Sequence, residues 1–324
     1  MIEKINLLFL FLFLFSLNLI IYINHKKLSL VYGLFDAPDG KRKTHKRPVA
    51  LTGGLIIFLN FFLSALFIYE SFEASYFFLI FIFLLGYVDD KQDLTPLIKL
   101  FIIFILVMIN AIIDKNILIS VMRFDFINDI HINGIIKYFF IAFCIVTFVN
   151  ALNMFDGANL QTSIYCIFIF ALLFFKTSNF IYLVVTVSLL SFSLLNYKNL
   201  SFLGDSGSMF LGYLIALEIV KNYNVNIINN CEEIFIIMFL PGVDMLRLFI
   251  MRILNRQNPF KADDRHIHHL LIKKYNKIKS LIIISTMCVL PFILLLIVGS
   301  FFSIMINLII YTFVISLTKI KSTC

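Results

Sequence analysis

The chain has 324 residues, of which 61% are hydrophobic and only 14% are charged. Apolar runs recur from one end to the other, so the composition excludes a soluble domain built around a single core. The basic residues behind the formal net charge of +8 flank these runs. They therefore indicate anchoring at a membrane surface with anionic lipid, and argue against nucleic-acid binding.

The apolar runs predict an all-α polytopic membrane protein, because a bilayer core of about 30 Å requires roughly 20 apolar residues per helix. The first run lacks a small-x-small cleavage site before His25, so we interpret it as a retained helix. The runs at 75–88 and 208–220 are short enough to be re-entrant. The eleven predicted spans are 5–24, 51–69, 75–88, 97–113, 135–150, 160–175, 179–195, 208–220, 233–251, 279–299 and 301–318.

The distribution of lysine and arginine predicts the orientation, because short cytoplasmic loops are rich in both. Residues 25–50 carry seven of them and residues 252–279 carry eight. Five more at other loops and at the C-terminal end bring one face to twenty of the 27. We therefore predict the N-terminus outside and the C-terminus inside, with every odd-numbered span ending at the inner face.

The predicted organisation is a single integral-membrane domain over residues 1–324. Residues 115–134 show patchy apolar and polar alternation with turn residues between, which predicts a small external β-hairpin. The five cysteines are scattered without CxxC spacing, which is typical of small apolar filler and not of a metal knuckle or a disulfide framework.

Aspartate is the only acidic residue type at the predicted inner face, since all six glutamates fall on the outer side. Aspartates stand next to long apolar runs at 89–90, 156, 205 and 263–264. A charge within a span costs about 2.5–3.5 kcal/mol on insertion scales, which favours a functional role there. A cluster of aspartates suits a compact cation with oxygen ligands, such as Mg²⁺ bridging substrate phosphates.

The first polar motif is residues 86–93 (GYVDDKQD) at the end of the third span. On a continuing helix Asp89 and Asp93 are four residues apart and share a face. The alternative is a solvated helix end with Lys91 as the counter-charge.

The second motif is residues 150–159 (NALNMFDGAN), which end the fifth span with polar side chains at intervals of three. This spacing stacks amides and a carboxylate on one side of a helix. The alternative is an ordinary helix C-cap in which Gly157 takes a positive φ.

The third motif is residues 202–208 (FLGDSGS), which place Asp205 before the eighth span. Free backbone N–H groups at the start of a helix can bind phosphate. The alternative is an ordinary aspartate N-cap.

The fourth motif is residues 263–269 (DDRHIHH), in the largest basic loop. Three imidazoles could bind Zn²⁺, but His-x-His-His lacks the helical spacing of a zinc site, and Asp, Arg and Lys surround it. Phosphate binding fits better, with a polar interfacial loop as the alternative.

In this order the motifs resemble the polyprenyl-phosphate N-acetylhexosamine-1-phosphate transferases, which form glycosyltransferase family 4. They include undecaprenyl-phosphate GlcNAc-1-phosphate transferases, and their superfamily includes phospho-MurNAc-pentapeptide translocase. The resemblance covers nearly the whole chain. Its elements are residues 36–38 (DAP), 42–45 (RKTH), Pro48, Gly53-Gly54, 86–93, 150–157, 204–208, Pro241 with Asp244, and 266–269 (HIHH).

The resemblance implies transfer of a sugar 1-phosphate from a UDP-N-acetylhexosamine to undecaprenyl or a related polyprenyl phosphate, with release of UMP. It implies Mg²⁺ as the cofactor, with Mn²⁺ as a second candidate. It also implies a multi-pass protein of the bacterial inner membrane, an active site on the cytoplasmic face, and a product that starts a cell-surface glycan such as O-antigen.

The resemblance implies that acidic residues have the catalytic roles. Asp205 is the first candidate for the metal ligand, with Asp156 and Asp90 as further candidates. In the family's usual assignment the residue at Asp89 accepts a proton from the lipid phosphate. Because a phosphate monoester has a second pKa of about 6 and is mostly dianionic at pH 7, positioning or metal binding by Asp89 is a rival role.

The remaining site residues are assigned to the substrates. The predicted diphosphate ligands are Arg265, His266, His268 and His269. Lys43 and His45 are expected near the lipid phosphate. Asn153 is expected to orient a carboxylate, a water or a group of the sugar.

The chain departs from the family pattern in three places. An extra residue lies between Pro38 and the residues 42–45, and Ala50 stands where a second proline is usual. Asn159 replaces the second aspartate of the common DGxDG, so it is not counted as a metal ligand.

Two other functions are alternatives to transfer of an N-acetylhexosamine phosphate. Phospho-MurNAc-pentapeptide transfer is disfavoured because residues 266–269 look more like the N-acetylhexosamine group. A lipid-phosphate transporter would place its charges near the midplane and repeat its halves, whereas here the charges gather at one face. Large apolar helix faces permit a homodimer.

Overall fold

The computed structural model describes residues 2–37, 47–68, 73–259 and 264–319. These residues form thirteen α-helices, two short antiparallel strand pairs and one 3₁₀ turn, Lys115–Ile117. The strands are β1 Phe35–Asp36, β2 Val49–Ala50, β3 Val121–Met122 and β4 Ile130–His131. The helices are α1 Ile2–Tyr32, α2 Gly53–Ile68, α3 Ala74–Gln92, α4 Pro96–Ile113, α5 Ile136–Phe155, α6 Gln161–Thr177, α7 Phe180–Tyr197, α8 Gly204–Asn224, α9 Cys231–Ile237, α10 Phe239–Leu254, α11 Ile267–Lys274, α12 Lys277–Val298 and α13 Ser300–Lys319.

The architecture is that of an all-α polytopic membrane protein. In the described part of the chain, six helices are long and apolar enough to cross a bilayer, or seven if a bent pair is one span. The shorter helices α2 and α6 are apolar as well. Large apolar side chains cover the outer surface, such as Leu296 at 87% and Phe175 at 83% exposure. A surface of this kind requires lipid around it.

The polar ends of α3 and α8 make these helices longer than the predicted spans within them. The motif at residues 89–92 continues α3, and residues 204–207 begin α8. At 1.5 Å per residue the two helices are about 28 and 32 Å long. Neither is among the helices that are apolar enough over their length to count as a membrane span, so their crossing of the bilayer stays a prediction.

The predicted ninth span, 233–251, is not one straight helix. It forms α9 and α10, which meet at an 80° bend around Met238. Pro241 lies in the first turn of α10, where its missing N–H breaks no helical hydrogen bond. The bend therefore comes where a proline is tolerated.

The hairpin predicted within residues 115–134 is present. Strands β3 and β4 pair antiparallel, with Val121 opposite His131 and Met122 opposite Ile130. Arg123 holds this segment to the end of α8, because its backbone N–H donates to the Tyr223 hydroxyl at 2.6 Å and its guanidinium lies 3.8 Å from the centre of the Tyr223 ring.

The chain divides into two compact units. The first unit comprises residues 1–95 and 162–211, and the second comprises residues 96–161 and 212–324. Helix α8 passes from the first unit into the second after Leu211. The prediction of one domain over residues 1–324 stays a prediction.

In the first unit, an aromatic cluster and a backbone bridge fix the starts of α2 and α8. Phe210 of α8 lies 5.9 Å from Phe58 and 5.8 Å from Phe61 of α2, measured between ring centres. The backbone of Phe202 donates to Ala50 at 2.9 Å and accepts from Gly53 at 3.1 Å. The segment that leads into α8 is therefore paired with the segment that leads into α2.

In the second unit, α5 packs against both α4 and α10, and α12 packs against α13.

The four described cysteines are free thiols, and two of them, Cys166 and Cys288, are buried. This agrees with their interpretation as apolar filler.

Candidate active site

The first turn of α8 packs against its neighbours in the first unit at backbone contact distance. A Cβ added to Gly86 of α3 would lie 2.5 Å from the Ser206 Cα. A Cβ added to Gly54 of α2 would lie 2.6 Å from the Gly207 backbone nitrogen. Backbone atoms cannot move aside as a flexible side chain can. Gly54 and Gly86 of the resemblance motifs are thus explained by close helix packing, a role that the sequence did not reveal.

Asp90 caps the start of α8 from 115 residues away in the chain. Its two carboxylate oxygens accept hydrogen bonds from the backbone N–H groups of Asp205, at 2.7 Å, and Ser206, at 3.1 Å. Gly204 has φ +76, and a Cβ there would lie 2.8 Å from an Asp90 oxygen. Asp90 and Asp205, the acidic pair of the first unit, are therefore held together by the main chain.

This cap bears on both predictions for the third motif. Two N–H groups of the first turn of α8, those of Asp205 and Ser206, are bound by Asp90 and are not free for phosphate. Phosphate binding at this helix start stays a prediction. The alternative of an aspartate N-cap is wrong, because α8 already begins at Gly204. Its carboxylate is half-buried and lies in the first helical turn, next to that of Asp90.

The acidic pair is electrostatically costly. Asp90 lies beyond the apolar stretch that ends at Val88, and burial raises its pKa from 3.8 to about 7, with a further contribution from the charge of Asp205. Hydrogen bonds from Ser206 and Asp205 only partly offset this rise in the pKa. A nearby cation would lower the cost of ionising both carboxylates.

Asp89 closes the end of its own helix. The side chain is only 2% exposed, and one carboxylate oxygen accepts a hydrogen bond from the Leu94 N–H at 2.8 Å. Asp93 follows in the left-handed conformation, with φ 47, and its N–H donates to the Asp89 carbonyl. The aspartates at 89 and 90 therefore have different surroundings although they are adjacent.

In the second unit, the end of α5 meets a histidine of α11. Asp156 ends α5, and its N–H donates to the carbonyl oxygens of Leu152 and Asn153. A Cβ added to Gly157 would lie 1.9 Å from His268 Nε2. Gly157 is not among the glycines with positive φ, so the predicted C-cap conformation is wrong. The glycine is required because the imidazole lies against it.

The three predicted histidines lie together. The rings of His266 and His268 are stacked 5.6 Å apart, and that of His269 is 4.2 Å from His268. His268 is 1% exposed, and its Nδ1 lies 3.4 Å from the Gln161 side-chain nitrogen. Burial, followed by the neighbouring imidazoles, holds the pKa of His268 well below its usual 6.5. The surroundings of His268 therefore favour the neutral imidazole over the charged form.

Asp244 of α10 organises the start of α11. One carboxylate oxygen accepts hydrogen bonds from Tyr311, at 2.7 Å, and from Arg247, at 2.9 Å. The other lies 2.8 Å from His266 Nδ1, and the Ile267 N–H donates to both oxygens. Arg247 also donates to the Arg265 carbonyl at 2.7 Å. The sequence signal for this centre was a pair of opposite charges three residues apart in an apolar helix.

The remaining predicted residues are placed as follows. The Arg265 guanidinium donates to the Gln257 side chain at 3.1 Å. Asn153 is half-buried in the last turn of α5. Lys43 and His45 lie outside the described residues. The structure thus brings together Asp90 with Asp205 in one unit, and the histidines with Gly157 in the other.

A metal at the acidic pair would take part of its coordination from substrate or water. In the described residues no three side chains of His, Cys, Asp or Glu lie close enough to hold a metal ion. Mg²⁺ is typically bound by one or two carboxylates together with substrate phosphates. The acidic pair fits that requirement.

Comparisons with known proteins show what the chain is similar to. The family model of glycosyl transferase family 4 matches residues 73–222, which include the four predicted catalytic aspartates. An undecaprenyl-phosphate alpha-N-acetylglucosaminyl 1-phosphate transferase from Thermotoga maritima is 29% identical over 77% of this chain and 76% of its own length. A probable enzyme of that kind from Bacillus subtilis is 29% identical over 76% and 72%, and one from Escherichia coli K12 is 25% identical over 76% and 71%.

Proposed function

We propose that this chain, a member of the polyprenyl-phosphate N-acetylhexosamine-1-phosphate transferases of glycosyl transferase family 4, transfers a sugar 1-phosphate from a UDP-N-acetylhexosamine to undecaprenyl phosphate or a related polyprenyl phosphate. The reaction releases UMP and leaves a lipid-diphosphate-linked sugar that starts a cell-surface glycan. The names of the relatives make UDP-N-acetylglucosamine the first donor to test.

The observation that carries the proposal is the acidic pair at the start of α8. Phosphoryl transfer depends on positioning and charge neutralisation more than on covalent chemistry from the protein. The position of Asp205 is fixed, because Asp90 accepts a hydrogen bond from its backbone N–H and Gly86 lets α3 approach it closely.

The proposed cofactor is Mg²⁺, with Mn²⁺ as the alternative. Asp205 is the first candidate ligand, and Asp90 and Asp156 are further candidates. When bound, the ion would neutralise charge on the donor diphosphate. The support from this chain is the pair of adjacent carboxylates, whose mutual repulsion a cation relieves.

The other roles follow from the surroundings of each side chain. Asp89 accepts a proton from the lipid phosphate or positions it, with its carboxylate held by the Leu94 N–H. His268 is buried in surroundings that disfavour its charged form, so its proposed contribution to the diphosphate is a hydrogen bond. The proposed charged and polar ligands of the two substrates are Arg265, His266, His269, Asn153, Lys43 and His45.

The proposed topology has eleven spans, with the N-terminus outside, the C-terminus inside and the active site at the cytoplasmic face of the bacterial inner membrane. Contacts in the first unit support it. The ends of α1 and α3 lie together, because the Tyr87 hydroxyl donates to the Tyr32 carbonyl at 3.0 Å. The end of α3 also meets the start of α8 through Asp90 and Asp205. Ends of odd-numbered spans thus share one side of this unit.

The test is UMP release by the purified protein in detergent, with undecaprenyl phosphate, Mg²⁺ and a panel of UDP-N-acetylhexosamines. Asp205→Asn is assayed beside Asp129→Asn, a matched change in the exposed hairpin. We expect UMP from one donor only, dependent on lipid and Mg²⁺, unchanged in the hairpin variant and absent in Asp205→Asn even with excess Mg²⁺.

Two outcomes would replace the proposal. UMP release only from UDP-MurNAc-pentapeptide would assign the chain to the other branch of the superfamily. If the folded protein binds lipid phosphate but releases no UMP with any donor, a lipid-phosphate transporter would be favoured. A near-normal rate for Asp205→Asn would remove this residue from the metal site.

Cross-linking and mass measurement in detergent would test the proposed homodimer.

A further inference from the structure

An apolar groove of about 250 Å³ lies within the first unit between α1, α2 and α7. Helix α1 lines it with side chains at three- and four-residue spacing from Phe11 to Tyr22, and α7 does so from Val187 to Leu195. Ile56 of α2 forms part of its floor. The stretch of α1 along the groove is about 16 Å long. This length suits part of an extended hydrocarbon chain.

The polar groups inside the groove are already hydrogen-bonded within the protein. The Asn18 amide nitrogen donates to Asn60 at 3.0 Å and to the Leu14 carbonyl at 2.9 Å, and Asn60 donates back to Asn18. The Ser191 hydroxyl donates to the Val187 carbonyl at 3.0 Å. The groove therefore offers a ligand mainly apolar surface, which a hydrocarbon chain matches.

One end of the groove is basic. Lys198 directly follows α7, and its ammonium donates to the Tyr22 hydroxyl at 3.2 Å. Lys26 is one helical turn beyond Tyr22 and therefore on the same side of α1. Both lysines are exposed, and neither forms an ion pair with a carboxylate in the described part of the chain. Their charges are available to an anion.

We infer that the groove binds one acyl chain of an anionic phospholipid, with the phosphate of its headgroup at Lys198 and Lys26. An apolar groove that ends at two lysines and a tyrosine matches a molecule with an apolar chain and an anionic headgroup. Tyrosine is enriched at the membrane interface, and basic pockets between membrane helices bind anionic headgroups. Helix α1 is about 46 Å long, so its last turns extend beyond the hydrocarbon core.

This site is separate from the acidic pair. Tyr22 lies ten residues, or about 15 Å along α1, before Tyr32. The carbonyl of Tyr32, and not Tyr22, is the group that contacts α3 close to Asp89 and Asp90. The inference therefore does not depend on the transferase reaction.

The test is lipid binding to the purified full chain, measured by native mass spectrometry in detergent. Phosphatidylglycerol and phosphatidylcholine with identical acyl chains are titrated in parallel. We expect one phosphatidylglycerol bound preferentially. Each lysine near the membrane surface contributes about fivefold in affinity, so K26Q and K198Q should each weaken it about that much. K115Q, a matched loss of an exposed charge in the second unit, should not.

A second variant tests the groove apart from the charges. S191F fills the groove while Lys26 and Lys198 stay in place, and it should remove the bound phosphatidylglycerol. Equal binding of the two phospholipids, or affinity unchanged in K26Q and K198Q, would overturn the inference. Retained preference in S191F would also overturn it, because the lipid would then bind only at the surface. Displacement by undecaprenyl phosphate at lower concentrations than phosphatidylglycerol would replace the phospholipid with the substrate lipid.

Discussion

The change of Asp244 to Asn is the sharpest test of how the histidines are positioned. The side chain is 2% exposed and accepts hydrogen bonds from Tyr311, Arg247 and the Ile267 N–H, with His266 Nδ1 at 2.8 Å. Asparagine keeps the shape but turns one acceptor oxygen into an NH₂ donor. Either His266 or the Tyr311 and Arg247 pair must then face a donor.

The size of the effect follows from these contacts. A buried polar group left without a partner costs about 1–3 kcal/mol, and removal of one member of a buried ion pair costs about 3–5 kcal/mol. We therefore expect Asp244→Ala to lower stability more than Asp244→Asn. Loss of a carboxylate that orients a metal-ligating histidine typically costs about 10- to 100-fold in activity. Because Asp244 orients His266 in the same way, we expect a fall in kcat/KM of that order.

The assay measures kcat and KM for UMP release together with the melting temperature in detergent. Tyr311→Phe is the control that keeps the charge of Asp244 and its contact with His266. It removes the hydroxyl that donates to Asp244 and accepts from Arg247 Nε, both at 2.7 Å. It should cost about 1–3 kcal/mol of stability, because Arg247 Nε loses this acceptor, with little change in kcat/KM. A normal kcat/KM for Asp244→Asn at a lowered melting temperature would refute the positioning role and leave a structural one.

Three further predictions concern single positions. Asp89→Asn should lower the rate, with recovery as pH rises if Asp89 is a proton acceptor; a flat pH profile would argue for positioning. His268→Ala should raise KM for the nucleotide sugar or lower kcat, and unchanged kinetics would remove the imidazole from the site. Gly86→Ala should cost about 1–3 kcal/mol by overpacking α3 against α8, measured as a lower melting temperature. Gly242→Ala is its control, since a Cβ there meets nothing within 4 Å.

The apolar runs predicted most helices of the fold because each needs only local information. Length and hydropathy indicate a membrane helix, and alternation with turn residues indicated the hairpin that β3 and β4 form. The bend at Met238 was not predicted, because local information alone does not indicate it. Residues 233–251 are apolar on both sides of it, and Pro241 alone does not indicate a bend when it lies in the first turn of a helix.

The site was predicted as a set of residues but not as a set of contacts. The aspartates and histidines stand out because charges beside apolar runs are costly. Their partners are distant in the chain: Asp90 caps a helix 115 residues later, and His268 lies against Gly157. A single sequence has no local pattern for such pairs. The local alternatives, an aspartate N-cap at Asp205 and a positive φ at Gly157, were therefore both wrong.

The two groups of site residues are each held by a carboxylate and by close packing against a glycine, and this predicts how each tolerates change. Asp205 is held by the carboxylate of Asp90, which accepts a hydrogen bond from its backbone N–H, and by the close approach of Gly86. The histidines lie on an eight-residue helix whose start is bound by one carboxylate, Asp244. An added methyl group at Gly86 or Gly157 meets atoms that already lie in contact distance. Loss of an acceptor oxygen from Asp90 or Asp244 leaves backbone N–H groups without a partner. Each group should therefore be damaged both by a methyl group at its facing glycine and by isosteric loss of the carboxylate that positions it.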